Sequence, residues 1–241
     1  MVYFKYNRQK WRFAVLITSI FLSWTAVSNA ETSDSTQTFN LATTDWNLVM
    51  TLMLFDQSLG DLQSITFSLS GDVQGNAAYE NEDAQSQVID LNLSAEIVAK
   101  APVGLIGFTT LAVINPLANV SETAASYDGV RDFAGTSGNT FVGLTNTDSI
   151  DAFYDNKNPL FELLMKPFFT TGTPGTTVDI PIEASGESTG SGSGNLSTNF
   201  STNASAQLTV TYTYDLAPVP EPSSFLVLLV GVATFSLKRR R

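Results

Sequence analysis

Apolar and polar residues alternate with period two along most of this chain, the pattern of half-buried β-strands. From Ile89 the odd positions read Ile89, Leu91, Leu93, Ala95 and Ile97, while Asp90, Asn92, Ser94 and Glu96 stand between them. Trp46, Leu48, Met50, Leu52 and Leu54 line one side of an earlier strand, and Ile65, Phe67 and Leu69 alternate with Ser64, Thr66, Ser68 and Ser70. Val178, Ile180, Ile182 and Ala184 form another inward row. Alternation is cleanest from Asn195 to Tyr214, where every odd position is Asn, Ser, Thr or Gln and the evens run from Leu196 through Phe200, Ala204, Leu208 and Val210 to Tyr214. A flat strand of that length would reach about 66 Å, so a bend or bulge is expected, and the small inward residues place it between Thr202 and Ser205.

Helical periodicity is scarce. The best candidate runs from Asn158 to Lys166, with Asn158 as N-cap, Pro159 in the first turn and Pro167 as the stop. Its apolar residues suit a cover over one open end of a sheet sandwich. The Gly/Ser-rich stretch from Ser185 to Gly194 reads as a long polar hairpin joining its neighbouring strands. Many strands and one short helix predict an all-β fold, an antiparallel β-sandwich that is either jelly-roll-like or immunoglobulin-like.

Both ends of the chain break this pattern. At the N-terminus Lys5, Arg8, Lys10 and Arg12 precede an apolar run from Phe13 to Val27, and small residues stand at Ser28 and Ala30. This is the layout of a secretory signal peptide over residues 1–30, with cleavage expected after Ala30, although an uncleaved anchor shares most of these features. At the C-terminus Val219, Pro220, Glu221 and Pro222 lead into a mostly apolar stretch over residues 223–237, and Lys238, Arg239, Arg240 and Arg241 close the chain. The prolines favour extended backbone, and the basic tail holds the end in the cytoplasm. As a helix the apolar stretch spans only about 22 Å against a hydrocarbon core of about 30 Å, short for a permanent transmembrane helix and tolerable for a transient one.

This three-part tail resembles the PEP-CTERM sorting signal of Gram-negative bacteria, which a membrane-embedded exosortase recognises and cuts. The resemblance implies an exported protein that meets signal peptidase and exosortase on its way, is anchored briefly through its terminal segments, and ends at the cell surface or in the extracellular matrix. An ordinary C-terminal anchor behind a proline hinge is the competing reading. Between the two signals, residues 31–218 form the body, leaving 219–241 as the sorting segment.

Charge separates the same three parts. Eight of the twelve Lys and Arg residues lie in the two ends, so residues 31–222 hold four cations, Lys100, Arg131, Lys157 and Lys166, against all twenty-three acids, a net −19. Such a body repels nucleic acid and anionic headgroups and leaves cations, cationic polymers or neutral glycans as partners. Without cysteine there is no disulfide and no thiolate site; without histidine a Ser-His-Asp hydrolase and a His-ligated zinc are excluded. No cofactor is expected.

Several segments of the body resemble the choice-of-anchor E domain: Ala42 to Trp46, Phe55 to Gly60, Tyr127 to Gly129, Asp132 to Gly138, Thr140 with Phe141, Thr147 to Ser149, and Ser193 to Ser197. They span roughly residues 38–216. The resemblance implies an exported surface or matrix protein of unassigned activity and supplies no catalytic residues.

Two sets of residues are candidates for binding. Glu80, Glu82 and Asp83 lie in a Gly/Asn-flanked turn, and Asp148, Asp151 and Asp155 precede the short helix. Oxygen ligands suit calcium, but no EF-hand spacing is present, and solvated loop carboxylates explain the same residues. Tyr79, Tyr127 and Tyr154 would be the first aromatics of a carbohydrate platform. The expectation is therefore a structural, biofilm- or exopolysaccharide-associated protein and not an enzyme, with a glycan- or calcium-binding module as the alternative. A glycosidase working with two carboxylates ranks third.

Overall fold

Two very long strands, β4 (Gly60–Asn81) and β12 (Leu196–Leu216), form the spine of the fold. In both, inward positions are apolar or small, and outward positions are Ser, Thr, Asn, Gln or Asp, apart from the buried Ala78 and Glu80 at the end of β4. Side chains that alternate faces over twenty residues make any one-residue slip expose the whole apolar row, so the register is strongly fixed. The computed structural model describes residues 30–102, 108–159, 161–171, 173–192 and 194–217.

Around this spine the strands pair in nested fashion. The first, β1 (Ala30–Thr43), pairs with the last, β12; the second, β2 (Trp46–Met53), pairs with β10 (Thr177–Gly186). β4 pairs with β8 (Gly138–Asp155), and β5 (Gln87–Pro102) pairs with β6 (Phe108–Ile114) and β7 (Leu117–Ala124). One antiparallel sheet therefore has the order β1-β12-β4-β8, and the other is built on β5-β10-β2 with β6, β7 and the short β11 (Thr189–Ser191) beside β5. A two-residue parallel contact joins β3 (Phe55–Asp56) to β9 (Thr170–Thr171). The chain is an all-β sandwich.

The sheets face each other across one main apolar core. Phe67, Leu69, Leu208 and Val210 from the first sheet meet Leu52, Ile97, Ile180 and Ile182 from the second, all essentially inaccessible to water. Gly71 permits the close approach: a Cβ there would lie 2.6 Å from both Ile97 Cδ1 and the Ser205 carbonyl. A smaller cluster of Ala77, Tyr79, Ile89, Leu91 and Ala124 occupies the end where β4 finishes and β12 begins.

Two local expectations are overturned and one is met in part. The helical segment does not stop before Pro167. A wide π-type turn over Phe161–Met165 leads into an α-helical turn, α1 (Lys166–Phe169), that contains the proline near its start. Proline lacks the N–H that a regular i→i−4 bond needs, and a turn of different pitch ahead of it removes that demand. The segment does cover an end of the sandwich, with Phe169 stacked edge-on against Phe67 at 5.0 Å.

The irregularity expected in β12 between Thr202 and Ser205 is met in part: the ladder to β4 keeps its register there but lacks pairs at Ser205 and Ala206, and its register shift falls later, between Thr213 and Tyr214. The extra residues opposite Ser205 belong to β1, whose pairs jump from Phe39↔Ala206 to Ala42↔Ala204. Finally, the Gly/Ser stretch is not a hairpin between paired strands. β10 and β12 lie in different sheets, and the connection crosses between them, adding β11 to the edge of β5 on the way.

Candidate functional site

The acidic segment lies at the end of the sandwich away from Ala30 and Leu216, beneath the loop that joins β7 to β8; Glu80 belongs to the end of strand β4, and the turn begins with Glu82. Glu80 is fully buried there; its Oε2 accepts the Phe133 amide at 2.9 Å, and its Oε1 is buried without a partner. Glu82 accepts from Arg131 Nη2 at 2.7 Å and from Ser197 Oγ, and these two bonds hold its carboxyl below the usual range. Asp83 accepts from the Gly194 amide and Asn195 Nδ2. Asn81, also buried, donates to the Gln85 and Ala125 carbonyls. The three acids fasten two segments: Glu80 and Glu82 hold the loop between β7 and β8 through Phe133 and Arg131, and Glu82 and Asp83 hold the start of β12 and the residues before it through Ser197, Gly194 and Asn195.

Asp148, Asp151 and Asp155 are spread along β8. Asp148 points inward and accepts the Asn115 amide at 2.9 Å, closing the corner between β6 and β7. Asp151 pairs with Ser68 on the outer face, and Asp155 caps the turn at Lys157. Among the described residues no group of three His, Cys, Asp or Glu side chains is placed to hold a metal ion.

Tyr79 and Tyr154 are packed rather than displayed. Tyr79 is buried beside Phe141 and donates to Glu122 at 3.2 Å; burial and then the Glu122 charge push its pKa up to about 12. Tyr154 is half-buried against Phe67, and burial raises its pKa too. Tyr127 is half-buried, with its amide bonded to the Asp83 carbonyl.

Ala30 opens β1 opposite Asp215, while Ser28 and the sorting residues Val219, Pro220, Glu221, Pro222, Lys238, Arg239, Arg240 and Arg241 lie outside the described residues. So do the apolar stretches of both ends. No helix among the described residues is long and apolar enough to cross a membrane.

Two concavities stand out among the described residues. One, of about 450 Å³, opens near the end of β12 between Phe55, Leu62, Asp61, Asp215 and Lys166. Lys166 bridges to Asp61 at 3.2 Å and so partly neutralises this acidic mouth. The other, of about 350 Å³, is a groove across the outer face of the first sheet, with lining residues from all four strands: Asn40 and Leu41 of β1, Ser205 of β12, Asp72 and Gln74 of β4, and Thr145 of β8. Asp72 sits at its centre, accepting from Thr147 Oγ1 through one oxygen and from Ser205 Oγ at 3.0 Å through the other. Reading the alternation identifies these residues as outward, but only the cross-strand register gathers them.

No protein-family model matches the chain, and neither does any curated protein. Solved structures give faint likenesses. The structure of infectious bursal disease virus Gx strain is 11% identical, covering 79% of this chain and 38% of that one at a TM-score of 0.20. That of the Gt strain is 11% identical, covering 85% and 48% at a TM-score of 0.12. The chain thus spans less than half the length of either, and neither likeness bears on its function.

Proposed function

We propose that this protein is an exported structural component of the surface or extracellular matrix of a Gram-negative bacterium, released from a transient membrane intermediate by an exosortase. The observation that carries the reading is the pairing of Ala30 with Asp215. The sandwich begins and ends on adjacent strands at one end, so the two ends of the described body, Ala30 and Ala217, lie on the same side of it. A body with that geometry can stand on one membrane with both flanking segments inserted. Its charge supports the same intermediate, because the basic ends stay inside while a body of net −19 over residues 31–222 is carried out.

The nested strand pairing favours the jelly-roll-like reading over the immunoglobulin-like one: a chain folded back on itself as a long hairpin and wound into two sheets pairs its first strand with its last. That arrangement closes the sandwich without a disulfide, in keeping with a cysteine-free exported protein. Replacing Pro220, Glu221 and Pro222 with alanine tests the proposal in an exosortase-positive host. The variant should remain in the inner-membrane fraction while the wild type leaves it; equal release of both would refute processing at this motif.

A further inference from the structure

We infer that the groove on the outer face of the β1-β12-β4-β8 sheet is a binding site for a neutral polysaccharide chain. Two bulges shape it. On β1, Asn40 and Leu41 stand together opposite Ser205, because the pairing passes from Phe39↔Ala206 to Ala42↔Ala204. On β8, Val142 and Gly143 are the extra residues where the pairing passes from Gly75↔Leu144 to Ala77↔Phe141; Gly143 has φ +69° and donates its amide to Asn76 Oδ1. Bulges bend a strand and re-aim its side chains, and here they flank the stretch of β4 that carries Asp72 and Gln74. Between them lies a depression of about 350 Å³, at the lower end of the range for small-ligand clefts.

The lining chooses the ligand class. Asp72 is its one charged side chain and is held in place before any ligand arrives: Ser205 Oγ binds one carboxylate oxygen, Thr147 Oγ1 the other, and the Asp72 amide returns a bond to Ser205 Oγ at 3.3 Å. Each carboxylate oxygen keeps a further acceptor site, and a fixed acceptor costs little ordering on binding. The side-chain amides of Gln74 and Asn40 add donors and acceptors, and Thr145 adds a hydroxyl. Leu41, 43% exposed, gives the groove an apolar edge against which the C–H face of a sugar ring can rest. With no cation in the lining, a uronate, sulfate or phosphate chain finds no counter-charge and meets Asp72 as a like charge. An uncharged polyol matches every group present. The inference stands on the groove alone, so it survives or fails independently of how the tail is processed.

The test is affinity electrophoresis of the protein as released from its producing cells, in native gels containing dextran, mannan, xylan or laminarin, with alginate as the anionic comparison. Retardation is expected in at least one neutral gel and not in alginate. Gln74→Ala and Asp72→Asn should each weaken it at least tenfold, and Thr211→Ala, on the same face outside the groove, should leave it unchanged. Melting temperatures of all three variants close to wild type show that the sheet is intact. Retardation by none of the neutral polymers, by alginate alone, or to the same extent in the Gln74→Ala protein would overturn the assignment.

Discussion

The two ends of the sandwich are held by different physics. At the end nearest Ala30 and Leu216 the main core is almost wholly apolar, filled by Phe55, Phe67, Phe169, Tyr212 and aliphatic side chains from both sheets. At the other end five residues, Ala77, Tyr79, Ile89, Leu91 and Ala124, make up the buried apolar cluster. There the buried polar groups Glu80, Asn81 and Ser137 bind the loop backbone. Apolar burial is non-directional and tolerates repacking, whereas a hydrogen-bonded network fixes a single loop geometry and is costly when half broken. One end supplies stability and the other supplies shape.

Breaking the apolar end should cost most. Phe67→Ala removes a ring that packs edge-on against both Phe169 and Tyr154, and should destabilise the protein by about 3–5 kcal/mol in urea unfolding. Trp46 and Phe200, which alternation places inward with equal clarity, are only half-buried and pack at the core's margin, so their alanine variants should cost less than Phe67→Ala. At the polar end, Asn81→Ala strips donors from the Gln85 and Ala125 carbonyls and the acceptor of the Asp83 amide, and should cost about 1–3 kcal/mol. Hydrogen exchange should show that loss concentrated in residues 125–137; a loss spread evenly over both ends would erase the distinction.

Alkali acts on a group at the polar end. Tyr79 has a folded pKa raised from 10 to about 12, so the folded state resists its ionisation. The stability this reflects is fully present below pH 10 and is lost as pH rises through about 12. Absorbance titration of wild type against Tyr79→Phe should therefore assign a late-ionising phenol to this position. Acid acts on Glu82 in the opposite sense: its pKa is lowered, so its contribution is present above the ordinary glutamate range and fades as pH falls through the folded value. Smallest of all should be Phe153→Ala. This ring is 58% exposed on the outer face of β8, and its removal should shift stability by no more than about 0.5 kcal/mol.

The difference between the ends also explains what could be read in advance. Residues such as Ile65, Phe67, Leu69 and Val210 announce their inward direction because a period-two pattern needs no knowledge of partners. The acidic turn at Glu80, Glu82 and Asp83 is visible as composition, but its role depends on Arg131, Ser197, Phe133 and Gly194, which only the folded topology brings near. Asp72 is one of many outward polar residues until register sets it beside Ser205 and Thr147. Pro167 misleads for a similar reason: its backbone rule holds, but the wider turn ahead of it satisfies the rule without ending the helical segment.

Processing by an exosortase would release this body from the membrane as a separate surface domain. Intact-mass measurement of the protein released by an exosortase-positive host tests it most directly. A processed chain starts near Glu31 and ends at or near Pro220, Glu221 or Pro222, with no apolar segment remaining. Recovery of protein that still carries Lys238 to Arg241 would contradict it and leave a permanent membrane anchor in its place.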